Sequence, residues 1–208
     1  MQIITKENSN FLKLIGALSM LIDHIGAFLY PQYIIFRIIG RISFPLFAYQ
    51  ISVSYQATSS KSRYLRRLIT FGIISQYPYY LLHRGYTLNI LFTFILAIWA
   101  MWAYEKKKYW QFFIIGPLSL FVDYGIYGIL TTLGFYWFHK IWQQSFFFIF
   151  ITAIYAAYYR AIIQWYSPLA LILVYKCHYF KIKLPKYFFY IFYPAHLYLI
   201  YLIKIYLY

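Results

Sequence analysis

Nine apolar runs follow one another from Phe11 to Leu207, parted only by short polar breaks. They cover Phe11–Tyr30, Tyr33–Tyr55, Leu65–His83, Thr87–Tyr104, Tyr109–Val122, Gly125–Phe138, Phe146–Tyr159, Ala161–Tyr175 and Tyr187–Leu207. About 20 apolar residues cross the hydrocarbon core of a bilayer as a helix. A backbone at that depth must satisfy its own hydrogen bonds, which helices do within one segment. Hydrophobic residues make up 63% of the 208, more apolar surface than a soluble domain of this size hides. The fold class expected is all-α: a polytopic membrane helical bundle of about nine spans (eight to ten) in a single integral membrane domain, residues 1–208. Runs five to eight are short for the core, so some are expected as broken or strongly tilted helices. The first run is too long for a cleavable signal, contains Asp23 and lacks a small-residue cleavage site.

Lys and Arg number 19 against four acids, a net charge of +15. Alternate loops share this charge unequally. One set, with the N-terminus, holds Lys6, Lys13, Lys61, Arg63, Arg66, Arg67, Lys106 to Lys108, Lys140, Lys176, Lys181, Lys183 and Lys186. The other holds little beyond Arg84 and Arg160, and includes Asp123. Basic loops stay on the cytoplasmic side, so a cytoplasmic N-terminus in a bacterial inner (cytoplasmic) membrane is expected. No helix-turn-helix, zinc finger or RNA-binding signature offers the charge to nucleic acid, which is excluded as a partner. The bilayer is the partner this composition implies. Cys177 is the only cysteine, which rules out an internal disulfide and a cysteine metal site.

Ionisable residues at membrane depth are costly and mark function. Asp23 and His24 lie two-thirds of the way along the first run, about 10 Å and 9 Å from its far end. Arg37 and Arg41 share a helix face in the second run, four residues apart. Gly40 between them admits a close neighbour, and Pro45 kinks the helix beyond. Gln76, Asn89, Asp123 and His196 fall in the same half of the membrane, and one shared cavity would satisfy all of these groups. Two guanidiniums on one face suit a carboxylate or phosphate ligand, or else pair with Asp23. Asp23 and His24 point about 100° apart on a helix. Asp23 is therefore expected on Arg41, Arg37 or His196, with His24 toward the reaction space. His83, His139 and His178 sit at run ends and read as interfacial. No His-x-x-x-His or His-Glu-x-x-His pattern occurs, and nearby arginines oppose a cation, so no metal is expected.

Leu-Ile-Asp23-His24-Ile-Gly26 followed by Phe36-Arg37-Ile-Ile-Gly40-Arg41-Ile-Ser-Phe44-Pro45-Leu-Phe-Ala48 resembles the opening of TraX-like membrane proteins. Ile74-Ser75-Gln76-Tyr-Pro78, Leu88-Asn89-Ile-Leu-Phe-Thr93, Asp123-Tyr-Gly125-Ile-Tyr-Gly128 and Tyr193-Pro194-Ala-His196-Leu197 extend the resemblance in order from about residue 11 to 202. The resemblance implies a transferase of the wider transmembrane acyltransferase group. It would take acetyl from cytoplasmic acetyl-CoA and pass it to an extracytoplasmic acceptor, a pilin N-terminal amine or a cell-surface glycan. His24 is then the expected catalytic group, with Asp23 and His196 beside it. Arg37, Arg41 and Gln76 are expected at the cofactor, and Asn89 and Asp123 at the acceptor. The alternative from another class is a small secondary transporter or flippase with an Asp-His proton relay. A non-catalytic assembly factor is the third reading.

Overall fold

The computed structural model describes residues 6–176, 182–185 and 187–207. Cys177, His178, Lys181 and Lys186 lie outside the described residues. The chain is an all-helical membrane bundle. Its α-helices are α1 (Lys6–Phe28), α2 (Ile34–Gly40), α3 (Ser43–Ala57), α4 (Lys61–His83), α5 (Ile90–Glu105), α6 (Phe112–Leu118), α7 (Gly125–Trp137), α8 (Ile141–Tyr158), α9 (Ala170–Lys176) and α10 (Phe188–Leu207). Short 3-10 turns cover Tyr109–Gln111, Ser119–Phe121 and Ile162–Leu169. Among the described residues, four segments are long and apolar enough to cross a membrane: Ser9–Phe28, Ile34–Ala57, Ile141–Tyr158 and Phe188–Leu207.

The breaks in the short runs have local causes. Run five becomes a 3-10 turn, the seven-residue α6 with Pro117 inside it, and another 3-10 turn. Run eight is 3-10 as far as Leu169, with Pro168 at its end, and α-helical only afterwards. A proline removes one ladder hydrogen bond and crowds the carbonyl one turn back, which favours such segmentation. Run two was expected as one kinked helix; it is instead two helices, α2 and α3, separated at Arg41–Ile42. Pro45 has no N–H to offer the Arg41 carbonyl, so the ladder opens one turn before the proline.

Small residues bring the helices together, as lipid-immersed bundles require, since burial from lipid supplies no hydrophobic drive. α5 runs through the interior on Ala97, Ala100 and Ala103, all fully buried, and packs on α3, α4 and α7. α1 packs on α2, α3 and α10. Large apolar side chains such as Phe113, Leu120, Phe146 and Ile191 face outward, where lipid is their solvent.

One end of the bundle collects the start of α1, the α3–α4 turn and the far ends of α5 and α7. Asn10 donates to the Ile182 carbonyl at 3.1 Å. Glu105 holds Lys61 at 2.5 Å and accepts from the Tyr55 and Tyr136 hydroxyls, each at 3.0 Å. Ser9, near the start of α1, donates to Gln50 on α3 at 2.6 Å, which puts the start of α1 toward the same end as the basic breaks at Lys61 and Lys106 to Lys108. At the opposite end, α4 turns into α5 around a buried amide cluster. Asn89 caps α5 by accepting from Leu91 N–H at 3.1 Å. Its Nδ2 donates to the Gly72 carbonyl at 2.8 Å and to Gln76 Oε1 at 2.9 Å, and Gln76 Nε2 donates to the Thr87 carbonyl at 3.0 Å. Asn89→Ala removes the cap and leaves these acceptors short of a donor. The expected cost is about 1–3 kcal/mol, read as a lower melting temperature in detergent; an unchanged melting curve would mean that the cluster contributes nothing.

Candidate functional site

Asp23 and His24 lie on α1, flanked by helices that arrive from distant parts of the chain. The Asp23 carboxylate is nearly buried and binds both arginines at once. Oδ2 accepts from Arg37 Nη1 at 2.6 Å and Oδ1 from Arg41 Nη2 at 2.5 Å. Arg37 also reaches the Asp23 carbonyl at 3.2 Å. Arg41 extends the network through Nη1 to the Tyr124 hydroxyl and to Gln164 Oε1, each at 3.4 Å, and Gln164 Nε2 donates to the Tyr127 hydroxyl at 3.1 Å. One carboxylate thus takes two guanidiniums on its two oxygens, a geometry in which each ion pair is charge-assisted. The arginines approach from α2 and its end, and neither lines the cavity described below. Of the two expectations for these guanidiniums, the structure shows the pairing with Asp23.

Gly40 makes this approach possible. A Cβ there would fall on the Asp23 side chain, touching Cβ, Cγ and Oδ1. Gly40→Ala must therefore push α2 away from α1 or turn the carboxylate aside. The expected cost is about 1–3 kcal/mol, seen as a drop in thermal stability that Gly116→Ala, with nothing within 4 Å, does not show.

His24 turns away from this network. Its Nδ1 lies 2.8 Å from His196 Nε2 on α10. The two rings are within 8° of parallel with centroids 5.1 Å apart. A centroid separation that long beside so short an N···N distance places the rings edge to edge, along the direction of a lone pair. His196 Nδ1 is 2.8 Å from the Phe192 carbonyl, which only accepts. Two neutral rings then have one consistent arrangement. His196 Nδ1–H donates to Phe192, His196 Nε2 accepts, and His24 Nδ1–H donates to it. His24 Nε2 is left as an unprotonated base.

His83 joins these rings from α4. It stands edge-on to His24 at 6.2 Å and to Phe28 at 4.9 Å, stacks on Tyr79 at 4.0 Å, and its Nδ1 lies 3.1 Å from the Tyr79 carbonyl. His83 is exposed at the end of α4, which lies beside α1, and its ring completes a three-ring cluster there. No group of three or more His, Cys, Asp or Glu side chains suited to a metal occurs among the described residues.

A cavity of about 470 Å³ runs down the bundle beside α1, within the range of small-molecule sites. Asp23, His24, Asp123 and Tyr124 line one end, and Asn10, Lys13, Gln50, Thr58 and Arg67 the other. Between them the wall is apolar, with Phe47, Ile51, Leu91, Phe94 and Phe192. Asn10 to His24 is about 21 Å of helical rise. Asp123 is fixed at its end because its N–H donates to the Leu88 carbonyl at 2.9 Å, while its Oδ1 accepts from Tyr124 N–H at 3.0 Å. His196 stands behind His24, buried and off the wall.

Of the residues expected to converge, the fold joins Asp23, His24, Arg37, Arg41, Asp123 and His196 in one neighbourhood. Gln76 and Asn89, expected at the cofactor and the acceptor, bond to each other at the α4–α5 turn and do not line the cavity. Sequence reasoning missed His83, Tyr124, Gln164 and Gln50. The last two carried a usable signal, a lone amide within an apolar run, of the kind that marked Gln76.

The family model described as TraX protein matches residues 8–204. Protein TraX of Escherichia coli is 31% identical over 131 residues, covering 58% of this chain and 52% of that protein. A protein described as probable fimbrial assembly protein FimC, serogroup H1, of Dichelobacter nodosus is 28% identical over 145 residues, 59% of each chain. A Rickettsia prowazekii protein described as uncharacterized is 35% identical over 99 residues, 46% of this chain and 38% of that one. The match to these curated relatives spans between 38% and 59% of their length. No solved structure matches.

Proposed function

This chain belongs to the TraX family, and from that premise we propose that it is a membrane acetyltransferase moving an acetyl group from acetyl-CoA to an extracytoplasmic acceptor. The observation that carries the reading is the His24–His196 pair, 2.8 Å apart at one end of the long cavity. Hydrogen bonding of His196 to a backbone carbonyl orients it to receive the His24 proton, which aims a free Nε2 lone pair from a ring on the cavity wall. That is the arrangement a general base needs.

Acyl transfer to an amine or hydroxyl breaks the thioester C–S bond and forms a C–N or C–O bond. The acceptor loses one proton and the thiolate gains one. His24 Nε2 takes the acceptor's proton and returns it to the leaving sulfur, so the imidazole ends as it began. Transient acetylation of the same nitrogen is the other route open to it. Asp23 does no proton transfer in this scheme. Anchored by two arginines, it fixes the rotation of α1, and the adjacent His24, about 100° around the helix, faces the cavity as a consequence. Tyr124, beside Asp123 on the wall, offers a hydroxyl for the developing oxyanion.

The end of the bundle with Lys61 and Lys106 to Lys108 is cytoplasmic by the distribution of basic loops. The cavity's other charged end, with Lys13 and Arg67, then opens the site to a phosphate-bearing donor, while His24 sits deep, toward the extracytoplasmic half. The acceptor class follows from the relatives' names only as far as fimbrial assembly: a pilin N-terminal amine, with a cell-surface glycan hydroxyl as the other acceptor of suitable chemistry. A proton-relay transporter would need Asp23 to exchange protons, and both of its carboxylate oxygens are occupied by arginine side chains.

The test is incubation of detergent-purified protein with radiolabelled acetyl-CoA and either a pilin-type N-terminal peptide or a cell-surface glycan. Label transferred to either acceptor, with stoichiometric release of free CoA, is expected. Neither transfer nor thioester loss by folded protein that binds acetyl-CoA overturns the reading.

A further inference from the structure

At the end of the cavity remote from His24, two buried donors lack an acceptor. Gln50 is 3% exposed. Its Oε1 accepts from the Ser9 hydroxyl at 2.6 Å, which orients the amide, and its Nε2 has no hydrogen-bond partner among the described residues. Arg67 Nε is likewise buried without a partner; its guanidinium lies 5.9 Å from the Tyr64 ring centroid. Both residues line the cavity. They are also level. Gln50 is seven residues before the end of α3 and Arg67 six after the start of α4, about 10 Å and 9 Å from the turn that joins them.

A buried N–H without an acceptor costs about 1–3 kcal/mol and is rarely left so. Two such donors, one of them on a cation, at one level of one cavity are the environment of an anionic oxygen. Resting on the acetyl-CoA reading above, we propose that Gln50 Nε2 and Arg67 Nε bind the phosphate that joins the pantetheine arm of a CoA thioester to its nucleotide. The spacing agrees. The Ser9 contact sets Gln50 level with Ser9, 15 residues before His24, or about 22 Å of rise. An arm of about thirteen bonds from phosphorus to sulfur spans roughly 15 Å at the extension of a peptide backbone. The acetyl group and the His24 side chain, which leans toward the start of α1 as helical side chains do, close the remainder. The apolar wall between the two ends suits the arm's methyl and methylene groups. Thr58, further along the cavity, leaves the nucleotide at its mouth.

The experiment is equilibrium binding of acetyl-CoA, and separately of S-acetylpantetheine, which has no phosphate, to the detergent-purified full chain. Wild type is compared with Gln50→Leu, Gln50→Glu and Arg67→Met. Gln50→Glu keeps the acceptor for Ser9 and so preserves the local fold, while replacing the donor with a charge that repels phosphate. Acetyl-CoA affinity is expected to fall about tenfold or more in each variant, the scale of one charge-assisted hydrogen bond, and affinity for S-acetylpantetheine to stay at its weaker wild-type value. Unchanged acetyl-CoA affinity in the folded variants, or equal weakening of both ligands, overturns the subsite. Wild type that binds acetyl-CoA through these residues yet transfers no acetyl overturns the acyltransfer reading and leaves the subsite standing. Transfer that is indifferent to both residues does the reverse, and wild type that binds no acetyl-CoA overturns both.

Discussion

Under the proposed acyl transfer, His24→Ala is expected to lower the rate by about 10²–10⁴-fold, the usual contribution of a positioned general base, while protein yield and melting temperature stay near wild type. The asymmetry follows from what His24 touches. Its Nδ1 partner, His196, keeps its own bond to the Phe192 carbonyl at 2.8 Å, and the cavity already adjoins the ring, so little packing is lost. His196→Ala acts through His24 and not on the reactants. It removes the acceptor that holds the His24 Nδ1 proton and frees the ring to take the other tautomer. A smaller fall in kcat is expected, with KM for acetyl-CoA unchanged. His83→Ala leaves the hydrogen-bonded pair intact, since His83 meets His24 only through a ring contact at 6.2 Å, and serves as the control. Initial rates with purified variants decide the matter: wild-type turnover by His24→Ala removes the imidazole from the chemistry.

Asp23→Asn has the largest expected effect on stability. The neutral amide leaves two guanidiniums facing a group that no longer carries charge, and the side chains of Asp23 and Arg41 are each only 12% exposed. Removing one partner of a buried pair costs about 3–5 kcal/mol. Arg37, at 31% exposure, recovers part of its hydration, so the loss belongs chiefly to Arg41. Thermal unfolding in detergent and membrane yield report it. Adding Arg41→Met to Asp23→Asn removes the stranded charge and is expected to recover part of the loss, the coupling a double-mutant cycle reads. A wild-type melting temperature for Asp23→Asn would mean that the two ion pairs do not hold α1 to α2.

Much of the candidate site was legible because membrane depth makes polarity conspicuous. An acid beside a histidine within Phe11–Tyr30, and two arginines one turn apart within Tyr33–Tyr55, are costly enough in hydrocarbon to announce a shared environment. The pairing of Asp23 with the arginines follows from charge alone. That one carboxylate binds both does not, because it depends on Gly40 letting α2 settle against Asp23. Gln76 and Asn89 stand elsewhere, at the α4–α5 turn and off the cavity wall. Amides at membrane depth need partners whether or not they have a function, and these two found each other across a turn. His83 was passed over because it stands at the end of its run, a position that says nothing about which helix end lies alongside.

The sequence by itself determined that this chain is a helical membrane bundle, where its runs weaken, which end carries the basic loops and which rare ionisable residues lie deep. Those are sums over local windows: hydropathy, length and charge act through the solvent that each segment meets. Only the tertiary structure decided that His24 meets His196, 172 residues away, that Gln50 and Arg67 face one cavity with donors unmatched, and that Asp23 and His24 serve different partners. Those outcomes depend on how each helix is rotated and what packs beside it. That rotation is set by contacts between segments far apart in the chain, which no window along it contains.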